Sequence, residues 1–415
     1  MSTTFLPLYD VIIIGAGPAG ACAGALLSRA GKTVLCVEKS HFPRFSIGES
    51  LLPHCMEFLA EAGLLEGLEQ QAQSLGFQFK NGAAFLKNGM RTEFDFTRKF
   101  SQGPGTTYQV KRAPFDALLA DGAAAQGVDI RYGLEVTDFV YPDADLVQLT
   151  VRDEQGEQHQ LSCKFVLDAS GFGRVLPRLL DLETPSGFPV RQACFCHIRD
   201  GITDPAFDRN KILITVHPTL HDVWYWLIPF SDGTASLGVV GATNRFAADD
   251  TASASLWQKV ADEADLALLL ANAEAINDVR SLVGYSANVG ALAGDRYALL
   301  GNAGEFLDPV FSSGVTIALR SASTAVPLVL KQLEGGAVDW DKEYTQPLRQ
   351  GISTFRQFVE AWYDGRFQNI IFNDQRQEQV SQMISAILAG YAWDQKNPYV
   401  AETKKRLQTL SEICA

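Results

Sequence analysis

Residues 10–20 read DVIIIGAGPAG, and this stretch decides the fold of the 415-residue chain. Residues 11–14 are a continuous β-branched run, which is typical of a buried parallel strand. A Gly-x-Gly-x-x-Gly turn follows, and the alanine-rich residues 21–30 predict a helix. Residues 33–37 predict a second strand that ends at Glu38. Strand, glycine turn, helix, strand and acidic residue follow one another within about 30 residues, as a dinucleotide-binding βαβ unit requires.

The three glycines and Glu38 have separate expected roles in such a unit. Gly15 allows the tight turn, Gly17 lets the backbone approach a pyrophosphate, and Gly20 lets the helix pack against the strand. Glu38 would accept hydrogen bonds from the hydroxyls of an adenosine ribose. The alternative is a glycine turn in an ordinary α/β protein, which the complete flanking context disfavours.

A second glycine-rich stretch lies nearly a whole chain later. Residues 301–314 read GNAGEFLDPVFSSG, after the apolar run 297–300 and before the helix-like run 315–330. That order predicts strand, glycine turn, loop and helix, and the loop would deliver backbone N–H groups to a helix N-terminus that suits an anion. Two such turns so far apart predict one long cofactor gripped from both ends, and flavin adenine dinucleotide (FAD) fits.

The composition excludes several classes of function. Hydrophobic residues make up 47% of the chain and charged residues 20%, as in an ordinary globular protein. The net charge of −13 disfavours a broad nucleic-acid-binding surface. The seven cysteines include no CxxC pair, and the six histidines show neither HExxH nor paired spacing, which predicts a reducing compartment and no metal site. The N-terminus has no basic n-region and no apolar run that could span a bilayer. We therefore predict a cytoplasmic protein with no nucleic-acid partner and no transmembrane segment.

The expected elements place the chain in the α/β class. The sequence predicts helical structure over residues 54–74 and strands over residues 77–85 and 90–97, with Asn81-Gly82 as a turn. The aromatic residues near the C-terminus predict core packing or, alternatively, a lid over an apolar substrate pocket. The predicted parts are a discontinuous FAD-binding domain of residues 1–75, 100–175 and 288–330, an inserted substrate domain with an antiparallel sheet of residues 76–99 and 176–287, and a helical C-terminal region of residues 331–415.

Several short motifs resemble those of FAD-dependent halogenases. They are WYWLIP at 224–229 (WxWxIP), FLDPVFSSG at 306–314 (FxPxSxG), FKNGAAF at 79–85 and GESLLP at 48–53. A wider resemblance is carried by the βαβ unit, VKRAPFD at 110–116, DASG at 168–171 and residues 301–314. The chain thus resembles the FAD-dependent monooxygenase-like superfamily, which also includes aromatic hydroxylases and geranylgeranyl-reductase-like enzymes. The resemblance implies a Rossmann-type ββα-sandwich of the aromatic-hydroxylase type. Residues 308–315 are nearer to halogenases that act on phenols or carrier-bound rings, since members that act on free tryptophan carry a glutamate where this chain has Phe311.

The resemblance implies a function and partners. The chain would be a halogenase of secondary metabolism that uses FADH2, oxygen and chloride or bromide. Hypohalous acid would pass through the protein to Lys80, whose amine would present it to an electron-rich aromatic substrate, phenol- or pyrrole-like, free or tethered to a carrier protein. Ser312 is the second catalytic candidate, because its hydroxyl could substitute for the carboxylate that Phe311 lacks; the substrate's own phenolate is the alternative. A separate flavin reductase would supply FADH2, since the sequence shows no second nucleotide-binding fold.

The resemblance also assigns binding residues. The halide would lie at Ser312, Ser313 and Gly314, whose backbone amides begin a helix. The residues expected to form a wall between flavin and substrate are Trp224, Trp226 and Phe311. The expected cofactor-binding residues are Gly15, Gly17, Ala19, Gly20, Glu38, Lys39, Arg44, Ser50, Arg112, Asp168, Gly171, Asn302, Pro309, Gly314 and Val315.

Each assignment has a plainer alternative. Lys80 could be a surface lysine at a strand edge, and the two tryptophans could fill the core. Ser312 and Ser313 could be helix caps, and Arg44 and Arg112 could form surface ion pairs. For the whole chain, the alternatives are an FAD-dependent monooxygenase or double-bond reductase that acts on an apolar or carrier-bound substrate, and a flavoprotein with an inactive centre that serves as a binding partner.

Overall fold

The βαβ unit forms as the sequence predicts: strand Tyr9–Ile14, helix Pro18–Arg29 and strand Val34–Glu38 follow one another, with the glycine turn between the first two. The structure, a computed structural model, describes residues 5–247 and 249–414. Ile14 lies opposite Val37 on one neighbouring strand and Asp168 on the other. The carboxyl ends of three parallel strands therefore meet at one edge, which is where open α/β sheets bind ligands.

The elements are numbered in chain order. The strands are β1 Tyr9–Ile14, β2 Val34–Glu38, β3 Gln78–Lys80, β4 Gly82–Lys87, β5 Met90–Asp95, β6 Thr107–Gln109, β7 Asp129–Tyr132, β8 Glu135–Asp143, β9 Leu146–Arg152, β10 Gln158–Asp168, β11 Glu183–Thr184, β12 Arg191–Arg199, β13 Lys211–Val216, β14 Trp224–Pro229, β15 Thr234–Ala242, β16 Glu274–Ala275, β17 Arg280–Val283, β18 Asn288–Val289, β19 Ala293–Gly294 and β20 Tyr297–Leu299. The helices are α1 Pro18–Arg29, α2 Cys55–Glu61, α3 Leu65–Gln71, α4 Arg112–Ala125, α5 Val175–Leu179, α6 Ala252–Asp262, α7 Ala264–Leu269, α8 Ser313–Leu333, α9 Gln346–Tyr363, α10 Arg366–Ile371, α11 Glu378–Leu388, α12 Pro398–Ala401 and α13 Thr403–Ile413.

The first sheet contains the dinucleotide-binding unit. Its parallel strands follow the order β20-β10-β1-β2-β7, and β19, β9 and β8 extend it in antiparallel pairing. Helices α1 and α8 pack against each other beside this sheet. The three residues 11–13 at the centre of β1 are fully buried, as a continuous β-branched run predicts.

The second sheet is largely antiparallel. Its order is β16-β12-β15-β14-β13-β4-β5, with β17 also paired to β12, and only β4 and β13 run parallel. Strand β14 alternates between two faces: Trp224 and Trp226 pack into the main core, whereas Tyr225 and Leu227 pack into a second core with residues of α6 and α7. All strands of this sheet lie within residues 82–95 and 191–283, and the predicted division into domains stays a prediction.

One local prediction is wrong. Asn81-Gly82 is not a hairpin turn, because β3 pairs with β6 in a separate two-stranded sheet while β4 pairs with β5 and β13. The hairpin turn lies instead at Asn88-Gly89, where both residues have positive φ (50° and 75°). The helical structure predicted over residues 54–74 is confirmed as two helices, α2 and α3, which are separated at Gly63, whose φ of 68° ends the first.

Helix α8 is long and apolar enough to cross a membrane by length and composition, but 56% of its most apolar window is buried in the fold. The central helix of a globular domain passes the same test, because it is hydrophobic on most sides. Its contacts with α1, α2 and α9 make it such a helix here. The cytoplasmic location stays a prediction.

Candidate functional site

A cavity of about 560 Å³ lies between the two sheets, and both glycine-rich turns line it. One end is formed by the edge of the first sheet, with Gly15 and Glu38. The other end is formed by side chains of the second sheet and by residues 309–314, which we call the halide loop after the role that the resemblance implies for them. A long cofactor could therefore contact both turns at once.

The nucleotide end is built from backbone geometry. Gly15 has a φ of 98°, and a Cβ there would lie 2.6 Å from the carbonyl oxygen of Ala169, so only glycine fits. Glu38 Oε2 accepts a hydrogen bond from the Ala16 N–H at 3.0 Å, and Oε1 accepts one from the Ser40 N–H at 2.9 Å. These bonds hold the carboxylate at the cavity wall, where it could accept hydrogen bonds from ribose hydroxyls.

Two arginines of the cavity wall share one buried carboxylate. Arg112 donates from Nε and Nη2 to the two oxygens of Asp116 at 2.7 and 3.0 Å, and Arg44 Nη1 lies 3.3 Å from Asp116 Oδ2. Asp116 is fully buried, whereas both arginines line the cavity. The pair suits the diphosphate of a dinucleotide, because guanidinium groups match phosphate geometry. The site prediction missed Asp116, although its i,i+4 spacing from Arg112 on α4 was a readable signal.

The tryptophans of β14 form one wall of the other end. Trp224 and Trp226 both line the cavity, with ring centroids 6.0 Å apart. Trp226 Nε1 donates to Ser236 Oγ at 3.1 Å. Gly238 on β15 makes room for this ring, since a Cβ there would lie 2.2 Å from Trp226 Cζ2. The two interpretations of these tryptophans are therefore compatible, because both side chains pack in the core and line the cavity.

One residue of the halide loop has a left-handed backbone. Ser312 has a φ of 55° and precedes the first residue of α8, so the backbone turns sharply at the cavity wall. Ser312 and Gly314 line the cavity, and Ser313 is buried behind them. The Phe311 ring points away and packs edge-on against Phe358, Trp362 and Phe367.

Lys80 is buried, which contradicts the alternative of a surface lysine. It is 1% exposed, and its amine donates to Ser50 Oγ and to the Leu51 carbonyl oxygen, both at 2.7 Å. The amine also lies 5.4 Å from the ring centroid of Phe96. Burial lowers the pKa of this amine to about 7. Because Ser50 lines the cavity, Lys80 is one hydrogen bond away from it.

A carboxylate–imidazole pair on the cavity wall was not predicted. Glu49 is 3% exposed and lines the cavity, and its two oxygens lie 2.8 and 3.0 Å from His197 Nε2. The two residues are 148 positions apart, so no local pattern could have connected them. The pair places a titratable group directly at the cavity.

Most predicted site residues line the cavity, and a few lie just outside it. Those on the wall are Gly15, Gly17, Ala19, Glu38, Lys39, Arg44, Ser50, Arg112, Gly171, Trp224, Trp226, Asn302, Pro309, Ser312, Gly314 and Val315. Those outside it are Gly20, Lys80, Asp168, Phe311 and Ser313. Asp168 is fully buried and accepts hydrogen bonds from the N–H groups of Ser170 and Leu176 at 2.9 and 2.7 Å, so it holds the turn that carries Gly171.

Potential metal ligands meet elsewhere. Asp153, Glu157 and His159 place one ligand atom each within 4.8 Å of the others. Asp153 Oδ1 accepts hydrogen bonds from backbone N–H groups of its own β9–β10 turn, and its Oδ2 lies 3.1 Å from His159 Nε2. The absence of a metal site stays a prediction.

Comparison with known proteins gives consistent results. Residues 8–341 match the model of the FAD binding domain family. The chain is 32% identical over 337 residues to a brominase of 1H-pyrrole-2-carbonyl groups on a peptidyl-carrier protein from Pseudoalteromonas luteoviolacea, and the match covers 80% of this chain and 79% of that protein. Among solved structures, it is similar to a flavoprotein/dehydrogenase from Cytophaga hutchinsonii, with a TM-score of 0.93, 41% identity and 98% of each chain covered. It is also similar to the flavin-dependent brominase Bmp2, with a TM-score of 0.83, 26% identity, and 98% of this chain and 100% of that chain covered.

Proposed function

Because the chain belongs to the FAD-dependent halogenase family, we propose that it uses FADH2 and oxygen to halogenate an electron-rich aromatic ring with chloride or bromide. It is an FAD-dependent oxidoreductase. The observation that carries the proposal is the buried Lys80 amine, which is held one hydrogen bond from the cavity through Ser50. The substrate would be phenol- or pyrrole-like, and the carrier-bound pyrrole of the P. luteoviolacea relative favours a tethered ring.

The cavity would hold FAD with its phosphates at the glycine turn and its ring near β14. Bound reduced FAD would supply the activation of oxygen and the oxidation of the halide. The backbone N–H group of Gly314 in the first turn of α8 would hold the halide, since the start of the helix carries positive dipole charge, whereas the Ser312 N–H already donates to the Pro309 carbonyl oxygen at 3.0 Å. Trp224 and Trp226 would keep the substrate ring out of the cavity, which would favour halogenation over direct hydroxylation.

Lys80 would present hypohalous acid to the substrate. Two of its amine positions are used by Ser50 Oγ and the Leu51 carbonyl. The ammonium form therefore has one N–H left to donate, and the neutral amine has a lone pair. With its pKa lowered to about 7, both forms are populated near neutral pH. The ammonium can thus hold the acid by hydrogen bonding. The neutral amine can instead attack the halogen, which forms an N–halogen bond, breaks the O–halogen bond and releases the hydroxide as water with the amine's proton.

The test is bromination of an easily brominated phenol and of a carrier-bound pyrrole, with FADH2, oxygen and bromide, read by mass spectrometry. We expect Lys80→Ala to lower product formation by about 100-fold or more, the order of one lost general acid–base group, while the protein still binds FAD. Lys87→Ala is the matched control, because Lys87 donates to Gln368 Oε1 on α10 and does not line the cavity. Normal product from Lys80→Ala would remove this amine from the mechanism.

A second candidate function, that of an FAD-dependent monooxygenase or double-bond reductase, has one observation in its favour. The solved structure at 41% identity is described as a flavoprotein/dehydrogenase. A monooxygenase or double-bond reductase would oxidise NADPH in step with product and would not need halide. A halogenase would depend on a separate flavin reductase, so the isolated protein would leave NADPH unchanged until that partner is added.

A further inference from the structure

Asp308 is a buried carboxylate immediately before the halide loop. It is 1% exposed, and its Oδ1 accepts a hydrogen bond from the Val310 N–H at 3.0 Å. Its Oδ2 accepts from the hydroxyl of Tyr363 at 3.0 Å and from that of Tyr285 at 3.4 Å. One side chain thus fixes the first turn of the loop and joins it to two tyrosines.

Tyr363 carries the connection further. It is the last residue of α9, and its hydroxyl accepts a hydrogen bond from Trp224 Nε1 at 2.9 Å while donating to Asp308. A hydroxyl has one proton to donate, so the direction of both bonds is set. The tryptophan wall, the C-terminal helix and the halide loop are therefore linked by one chain of hydrogen bonds.

A buried cation completes the cluster. Arg191 is 7% exposed, its guanidinium carbon lies 3.4 Å from the ring centroid of Tyr363, and its Nη1 lies 3.7 Å from Asp308 Oδ2. Nη1 has no hydrogen-bond partner within residues 5–247 and 249–414. Arg191 therefore balances the charge of the carboxylate without taking up its acceptor positions, which leaves them to the tyrosines.

We propose that Asp308 and Tyr363 are positioning residues that fix the halide loop relative to the tryptophan wall, so that α9 forms part of the active-site framework. This inference rests on the proposed function, because it assigns the loop to the halide. Tyr363 does not line the cavity, so its influence on the site passes through Asp308 and Trp224.

Removing the Tyr363 hydroxyl leaves two buried groups without a partner, the Trp224 N–H and one acceptor position of Asp308. A buried polar group without a hydrogen-bond partner costs free energy. The halide loop and the Trp224 indole should therefore move until both groups have new partners. We expect Tyr363→Phe to raise the KM for bromide about tenfold, the size of one lost buried hydrogen bond. The kcat at saturating bromide and the dissociation constant for FAD should stay within about twofold, because the FAD contacts are untouched.

The network also predicts a pH dependence. Burial raises the pKa of Asp308 to about 6, against the opposing charge of Arg191 and the donated bonds of Val310, Tyr363 and Tyr285. As the pH falls below that value, the carboxyl gains a proton that competes with the tyrosine hydroxyls for its oxygens. The KM for bromide of the unsubstituted protein should rise below pH 6, and that of Asp308→Asn should stay flat across the same range.

The control is Tyr225→Phe, which removes a buried hydroxyl from the opposite face of β14, where it donates to the Lys259 carbonyl at 2.7 Å. A second readout is hydrogen exchange of residues 309–315 and 224–229, which should quicken in Tyr363→Phe and not in the control. Unchanged exchange and an unchanged KM for bromide in Tyr363→Phe would overturn the inference while halogenation stands. Quickened exchange in a protein that transfers no halogen would uphold the framework and refute the proposed function instead.

Discussion

Burial turns a common side chain into a reactive one at Lys80. Its closest partners are two neutral oxygens, from Ser50 and Leu51, and burial lowers the pKa of the amine to about 7. An ordinary surface lysine is almost fully protonated at that pH. A buried amine whose closest partners carry no negative charge costs folding free energy, so such a residue is typical of a functional site.

The lowered pKa gives a stability prediction. Between pH 7 and the unfolded value of 10.5, the unfolded chain holds a proton on Lys80 that the folded chain has released. The free energy of unfolding should therefore rise with pH above 7, by at most about 1.4 kcal/mol per pH unit from this group, while below 7 its cost is constant. Lys80→Met should remove that rise.

Denaturant unfolding at pH 7, 8 and 9 measures this rise in the free energy of unfolding. Substitution of the exposed Lys396, Lys396→Met, is the control for the loss of one positive charge. The difference between the unsubstituted protein and Lys80→Met should change with pH in favour of the unsubstituted protein. A difference that stays constant from pH 7 to 9 would show that the folded chain keeps the proton.

At the scale of elements, two glycines of the first turn are needed for different reasons: Gly20 for the packing of α1, and Gly17 for the space that we expect the cofactor to occupy. A Cβ on Gly20 would lie 1.9 Å from the carbonyl oxygen of Gly15, so this glycine allows α1 to pack. A Cβ on Gly17 would meet only the Arg44 side chain, at an ordinary 3.6 Å, and its φ of −65° suits any residue. Gly17 lines the cavity, so its lack of a side chain leaves space for the cofactor.

The two glycines should therefore respond differently to the same substitution. Gly17→Ala should keep its melting temperature and raise the dissociation constant for FAD about tenfold or more, because the methyl group occupies the space expected for the pyrophosphate. Gly20→Ala should lose about 1–3 kcal/mol of stability even without FAD, since the turn must shift. Thermal melts and FAD fluorescence titrations of both variants test this. Unchanged FAD affinity in Gly17→Ala would place the cofactor away from this turn.

The distance along the chain between interacting residues decides how much of the fold the sequence could predict. The βαβ unit was predictable because strand, turn, helix and strand are neighbours in the chain. The β14 tryptophans were predictable as a motif on one strand face. The pairing of β3 was not, because Lys80 and its partner Thr107 are distant in sequence, and the Asn81-Gly82 dipeptide imitates a hairpin turn. The Asp308–Tyr363 and Glu49–His197 contacts join residues 55 and 148 positions apart, which only the folded chain brings together.

At the scale of the whole molecule, the cavity lies between two sheets that have their own strand orders. Each end of a bound dinucleotide should therefore order a different part of the chain. FAD should slow hydrogen exchange both at residues 10–20 and at residues 224–229 and 309–315, since it reaches both ends. ADP, which has the adenosine diphosphate half alone, should protect only residues 10–20.

Peptide-resolved hydrogen exchange with saturating FAD, saturating ADP and no ligand distinguishes these patterns. Both ligands carry the same adenine, ribose and diphosphate, so any additional protection by FAD reports the ribityl chain and the flavin ring. Protection of the tryptophan strand by ADP would mean that the sheets close on the nucleotide alone. Protection of residues 10–20 alone by FAD would mean that the ring lies outside the cavity, and the halide loop and Lys80 would then have no flavin beside them.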